Sequence, residues 1–92
     1  MIIGNVVGNV WATRKNDSLT GLKLMIVRRI DVCLNEEQES FVAADLVGAG
    51  IGERVLVATG SSARQSAELE HALVDASIIG IIDEIDVPGY DQ

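Results

Sequence analysis

Apolar and polar residues alternate weakly along the first dozen positions of the chain. Ile3, Val7 and Trp11 share one parity with Asn5, Asn9 and Thr13, while Ile2, Val6, Val10 and Ala12 take the other with Gly4 and Gly8. A period of two with apolar residues on both parities predicts a strand over 2–13 that meets apolar matter on each face. Glycines inside a strand point to curvature or close backbone approach, which suits a small barrel better than a flat sheet. A second strand is predicted over 22–30, with Leu24 and Ile26 facing one way and Met25 and Val27 the other. Between the two, 14–21 reads as a polar loop whose one hydrophobe, Leu19, tucks it back onto the body.

The polar stretch 35–40 reads as an exposed turn, and 41–47 as a third strand carrying Ala43 and Ala44 and interrupted by Asp45. Gly48-Ala49-Gly50-Ile51-Gly52 is a tight connection to a fourth strand over 54–58. Gly60-Ser61-Ser62-Ala63-Arg64 follows, a run of small side chains where chains can approach closely. Helix formers over 66–73 predict a short helix, with Ser61 or Ser62 as a cap. The fifth strand is predicted over 76–87, stopped by Pro88 and Gly89, with a short tail beyond. The pattern therefore predicts an all-β fold in one domain, 1–92. Its form is a small five-stranded barrel with a short helix between the fourth and fifth strands.

The size of the chain gives this pattern a consequence. A chain of 92 residues hides only about 60–70% of its unfolded surface on folding, so its core is thin. The outward strand face of a small barrel should be polar. Here the second and last strands are apolar on both faces, with Ile79 and Ile81 on one side and Ile78 and Ile82 on the other. Contiguous exposed apolar surface marks a partner site, and head-to-tail contacts between copies close into rings. A homo-oligomer is the expectation.

Charge and chemistry narrow the function by exclusion. A net charge of −7, scattered basic residues and single copies of Trp, Phe and Tyr argue against nucleic acid. No apolar run reaches the 18 residues of a membrane span, and no basic segment precedes an apolar core at the start, so a cytoplasmic protein without membrane contact is expected. His71, beside Glu70, has no triad pattern around it. Cys33 is the one cysteine, which excludes an internal disulfide, and it reads as a small half-buried hydrophobe. Glu36, Glu37 and Glu39 lack the spacing of a calcium loop, and Asp83, Glu84 and Asp86 read as a charged strand end. The Gly48–Gly52 loop leads into a strand rather than a helix, so it is no dinucleotide fingerprint. These readings leave no catalytic residue, no metal and no cofactor, and hence no enzyme. Arg64, after three small side chains, is suited to forked hydrogen bonds with a neighbour's carboxylate or carbonyls. A non-catalytic barrel-type binding module for a peptide or small ligand is the alternative to an assembly subunit.

Several segments in fixed order carry a resemblance. They are 8–15 (Gly-Asn-Val-Trp-Ala-Thr-Arg-Lys), 19–24 (Leu-Thr-Gly-Leu-Lys-Leu), 42–53, 55–57, 60–64, Val74-Asp75 and 78–83. In this order and spacing the chain resembles the vertex proteins of bacterial microcompartment shells, typified by the small carboxysome and ethanolamine-utilisation vertex proteins. The resemblance implies a five-stranded barrel like that of oligonucleotide-binding domains, without nucleic-acid binding. It also implies a structural subunit of a cytoplasmic compartment's shell. Five copies form a ring that caps a vertex, and the ring's edges meet hexagonal shell tiles. Carried onto this chain, Gly60, Ser61 and Ser62 are expected near the ring centre or axial pore. Arg64, Asp75, Asp83, Gly48 and Gly50 are expected to serve subunit contacts or loop bracing, and Arg14 and Lys15 tile contacts.

Overall fold

The computed structural model describes residues 1–13, 15–60 and 74–88. Five strands, β1 (Ile2–Val10), β2 (Leu24–Asp31), β3 (Glu36–Asp45), β4 (Arg54–Thr59) and β5 (Ala76–Ile81), close into a barrel in the order β1-β2-β3-β5-β4. Every pairing is antiparallel except β3 with β5, which is parallel and short: only Ala44 with Ser77 and Asp45 with Ile78. The strand directions sort the connections. The 11–23 and 46–53 connections and the chain after β5 lie at one end, called upper here. The β2–β3 turn, the start of the chain, Gly60 and Asp75 lie at the lower end.

The interior is filled by Val6, Met25, Val27, Ala43, Ala49, Val55, Val57, Ala76 and Ile78, with Ile2 and Phe41 packed against them. The register explains the selection. Val27 pairs with Val6 and Phe41, and Val57 with Ile2 and Ile78, so each inward row is apolar across several strands. One inward position must be glycine. A Cβ on Gly4 would stand 2.5 Å from Val27 Cγ1 and 2.8 Å from the Arg28 carbonyl oxygen, whereas one on Gly8 would meet Ile26 Cδ1 at an ordinary 3.5 Å. Gly4 and Gly8 do not share a face as their spacing suggests. A bulge between Val6 and Gly8 shifts the register, leaving Gly4 inside and Gly8 opposite Ile26.

Part of the outward apolar surface is covered by the chain itself. Ala44 and Val74 are buried with Leu19, Leu22 and Leu24 packed on them, so Leu19 does fold its connection onto the barrel wall. A 3-10 turn at Asp17–Leu19 shapes that connection through Leu19 N–H to Asn16 O and Thr20 N–H to Asp17 O. Val42, Val7 and Ile81 stay exposed.

Closure and strand number agree with the expectation, but the helix is a correction. Among the described residues the fold has no α-helix, and the 3-10 turn is the one helical element. The expected helix, 66–73, lies outside the described residues. At its near flank Gly60 is left-handed (φ 64°) and its N–H donates to the Asp75 carbonyl at 2.8 Å, extending the β4–β5 pairing directly.

Strand limits differ too. β1 stops at Val10 and β5 at Ile81, each shorter than predicted. β3 starts at Glu36, where a turn was expected, and the turn is 32–35. Asp31 Oδ1 accepts from the N–H groups of Cys33 and Leu34 at 3.1 Å each, and Asn35 takes the left-handed conformation (φ 51°) that reverses the chain. Cys33 sits on this turn and is exposed, not half-buried.

Candidate functional site

The expected assembly residues fall at the two ends of the barrel. At the lower end Gly60 and Asp75 come together, through the Gly60 N–H and the Asp75 backbone carbonyl; both residues are exposed. Ser61, Ser62 and Arg64 lie outside the described residues. Beside Gly60 opens a cleft of about 570 Å³ at the short β3–β5 seam, with Phe41, Val42, Thr59 and Ala76 among its walls. Among the described residues the seam is open there, because β5 pairs with β3 only through Ala44 and Asp45 at the end of β3.

At the upper end lie Gly48, Gly50, Lys15 and Asp83; Arg14 is outside the described residues. The 48–52 connection is tied down from its own ends. Gly48 and Gly52 take left-handed angles (φ 75° and 93°), which lets Ala49 turn into the core at 0% exposure. Glu53 Oε1 accepts from Gly50 N–H at 2.6 Å, and Gly50 O accepts from Glu53 N–H at 3.1 Å. Val6 N–H donates to Glu53 O and Gly52 N–H to Val6 O, so β1 holds the loop's far side. Asp83 is exposed, just beyond the last bond of the sheet, Ile82 N–H to Arg54 O.

Asp45, read from the sequence only as a break in a strand, anchors this end. Its side chain is 1% exposed. Oδ1 accepts from Val47 N–H at 3.1 Å, while Oδ2 has no hydrogen bond among the described residues and faces Lys23 Nζ at 3.6 Å. Lys23, half exposed, also donates to Ala49 O at 3.3 Å and so links β2 to the 48–52 connection. Removing either partner has unequal consequences. Lys23→Met leaves a buried carboxylate with no cation and should lower the unfolding free energy by about 2 kcal/mol, below the usual cost of a broken buried pair because the amine is half in water. Asp45→Asn keeps an oxygen for Val47 and should cost about 1 kcal/mol. Urea unfolding of both variants checks the order, and a larger loss for Asp45→Asn would contradict it.

Sequence reasoning missed Trp11, which it placed inside a strand. The strand ends one residue earlier, and Trp11 is 88% exposed. It borders a cleft of about 170 Å³ whose walls include Val10, Leu22 and Leu24, with Lys15 and Lys23 beside them. The signal was present in the run Trp11-Ala12-Thr13-Arg14-Lys15, where the one tryptophan stands next to a basic pair. The other adjacent basic pair is engaged within the sheet: Arg28 pairs with Glu37 at 3.0 Å and Arg29 with Glu39 at 3.6 Å across the β2–β3 hairpin. Both pairs are exposed, so each contributes little. Among the described residues no group of three or more His, Cys, Asp or Glu side chains is placed to hold a metal ion, and no helix is long and apolar enough to cross a membrane.

Comparison with known proteins places this architecture. Residues 1–83 match the family model described as "Ethanolamine utilisation protein EutN/carboxysome". The bacterial microcompartment shell vertex protein GrpN of Rhodospirillum rubrum is 45% identical over 86 residues, covering 94% of this chain and 97% of the relative. The solved structure of GrpN, titled a pentameric microcompartment shell protein, superposes with a TM-score of 0.84 over 95% of this chain and 99% of that one, at 44% identity. The structure of CcmL from Gloeobacter violaceus superposes with a TM-score of 0.89 at 43% identity, covering 98% of this chain and 93% of the other.

Proposed function

The chain belongs to the EutN/carboxysome family of shell vertex proteins, and from that premise we propose that it is a structural subunit of a bacterial microcompartment shell, assembling as a homopentamer that caps a vertex. The observation that carries this reading is the end-to-end match to a relative whose solved form is pentameric, at 44% identity and over 95% of the chain. The barrel itself suits such a role. It keeps Val7, Val42 and Ile81 exposed on a core already thin for its size, and surface of that kind is buried against partners.

Within the ring, Gly60, Ser61 and Ser62 are assigned to the centre, where small side chains let five copies converge. Arg64, Asp75, Asp83, Gly48 and Gly50 are assigned to subunit contacts or to bracing the loops that make them, and Arg14 and Lys15 to contacts with hexagonal shell tiles. Placement of the centre has a direct check. Ser61→Trp or Ser62→Trp should block ring closure and yield smaller species in native mass spectrometry; intact rings from both variants would move the axis elsewhere. The role in the shell is tested by deleting the gene from a strain that builds the compartment. Shells should then be left open at their corners in electron micrographs, and a plasmid copy should close them. Closed shells in the deletion strain would contradict the role.

A further inference from the structure

We infer that the Trp11 end of the barrel is a docking face for a separate shell component, one that presents carboxylates beside an apolar groove able to take the indole. The first observation is exposure. An indole 88% open to water is a large apolar surface left uncovered, and it sits at the mouth of a cleft walled by Val10, Leu22 and Leu24. The second is charge. Lys15 and Lys23 flank this cleft in a chain of net charge −7, so the face is locally basic on an acidic molecule. Among the described residues Lys15 Nζ reaches only the Ala12 carbonyl, at a long 3.4 Å. Lys23 is held by Asp45 and Ala49 O, so its charge is largely matched within the chain and Lys15 carries the charge a partner would meet. The complement of this face is acidic and apolar.

The third observation is placement. Strand directions put Trp11 after the upper end of β1 and Gly60 after the lower end of β4. If the Gly60 end converges on the ring axis, the Trp11 end is carried to the rim, where it meets what lies outside the ring. The inference therefore rests on the vertex reading, and it extends the tile contact from Arg14 and Lys15 to an aromatic anchor. A buried tryptophan at the centre of an interface is commonly worth at least about 2 kcal/mol, or about 30-fold in affinity.

The experiment uses the full chain with Trp11→Ala and, separately, Lys15→Glu, against purified tile protein from the same shell. Two quantities are read for each: native mass and affinity for the tile protein. Both variants should keep the ring mass of the unsubstituted chain. Trp11→Ala should weaken tile binding about 30-fold, and Lys15→Glu should slow association in a salt-dependent way. Unchanged tile affinity would overturn the inference, and so would loss of the ring in Trp11→Ala, which would make the indole a contact between copies. Failure of the vertex reading is separate, since it would appear as absence of a ring in the unsubstituted chain.

Discussion

Gly4→Ala should destabilise the barrel by about 3 kcal/mol or more, while Gly8→Ala should change it by no more than about 0.5 kcal/mol. The two glycines lie four residues apart in one strand and look equivalent in the sequence. They differ in what a methyl group would meet. At Gly4 it would stand 2.5 Å from Val27 Cγ1 and 2.8 Å from the Arg28 carbonyl oxygen. Val27 is fully buried and pairs with Val6 and Phe41, so its side chain has nowhere to withdraw, and the carbonyl is part of the β1–β2 ladder. Strand β1 would have to move away from β2. For a chain of this length, total stability is on the order of 5–14 kcal/mol, so the loss is a large share of it. Each kcal/mol is worth about 4–8 °C in a domain this small, which puts the expected fall in Tm at about 12 °C or more. At Gly8 the new methyl would make ordinary contact with Ile26 at 3.5 Å. Thermal unfolding followed by circular dichroism separates the two, and equal Tm values would refute the close-approach account.

Ile78→Asp should abolish cooperative folding. Ile78 is 0% exposed, and its backbone stands where the barrel closes. It pairs with Val57 on β4 and with Asp45 on β3, and Leu46 N–H donates to its carbonyl at 3.2 Å. The β3–β5 seam has only two residue pairs, so it depends on side-chain packing more than any other. A carboxylate there is buried without a cation, costing several kcal/mol, and the lost isoleucine packing adds to this. Asp45, the residue paired with Ile78 on β3 and itself a buried carboxylate, would add repulsion. Ile78→Val serves as the control and should cost about 0.5–1.5 kcal/mol. A soluble Ile78→Asp chain with a sigmoidal urea transition near that of the unsubstituted protein would contradict the placement of the seam.

The legible parts of this fold were those in which burial writes a period into the sequence. β2 and β4 follow their apolar alternation closely because each lies against the core along nearly its whole length. β3 hid its first half. Residues 36–40 extend with β2 beyond the core as a hairpin, and an exposed ribbon carries polar side chains on both faces. Its ladder is held by backbone bonds and by pairs such as Arg28 with Glu37. β5 erred in the other direction. Ile85 and Val87 continue an apolar pattern after the sheet has run out of partner at Arg54.

Site reasoning was limited in a similar way. Composition located the glycine-rich connections, but only the fold shows Glu53 closing one of them and Asp45 with Lys23 bracing it, since each contact depends on registers that sequence spacing does not encode. Trp11 was hidden by a period-two pattern that runs to residue 13, past the end of its strand at Val10. Gly60 and Asp75 were named for separate roles, yet the structure joins them through the backbone.

Native mass spectrometry of the purified, unsubstituted chain over a wide dilution series tests the central claim most directly. The vertex account predicts a dominant species at five times the 9.8 kDa chain mass, persisting on dilution. A single-chain mass at every concentration, or a dominant species of any other multiple, would contradict it.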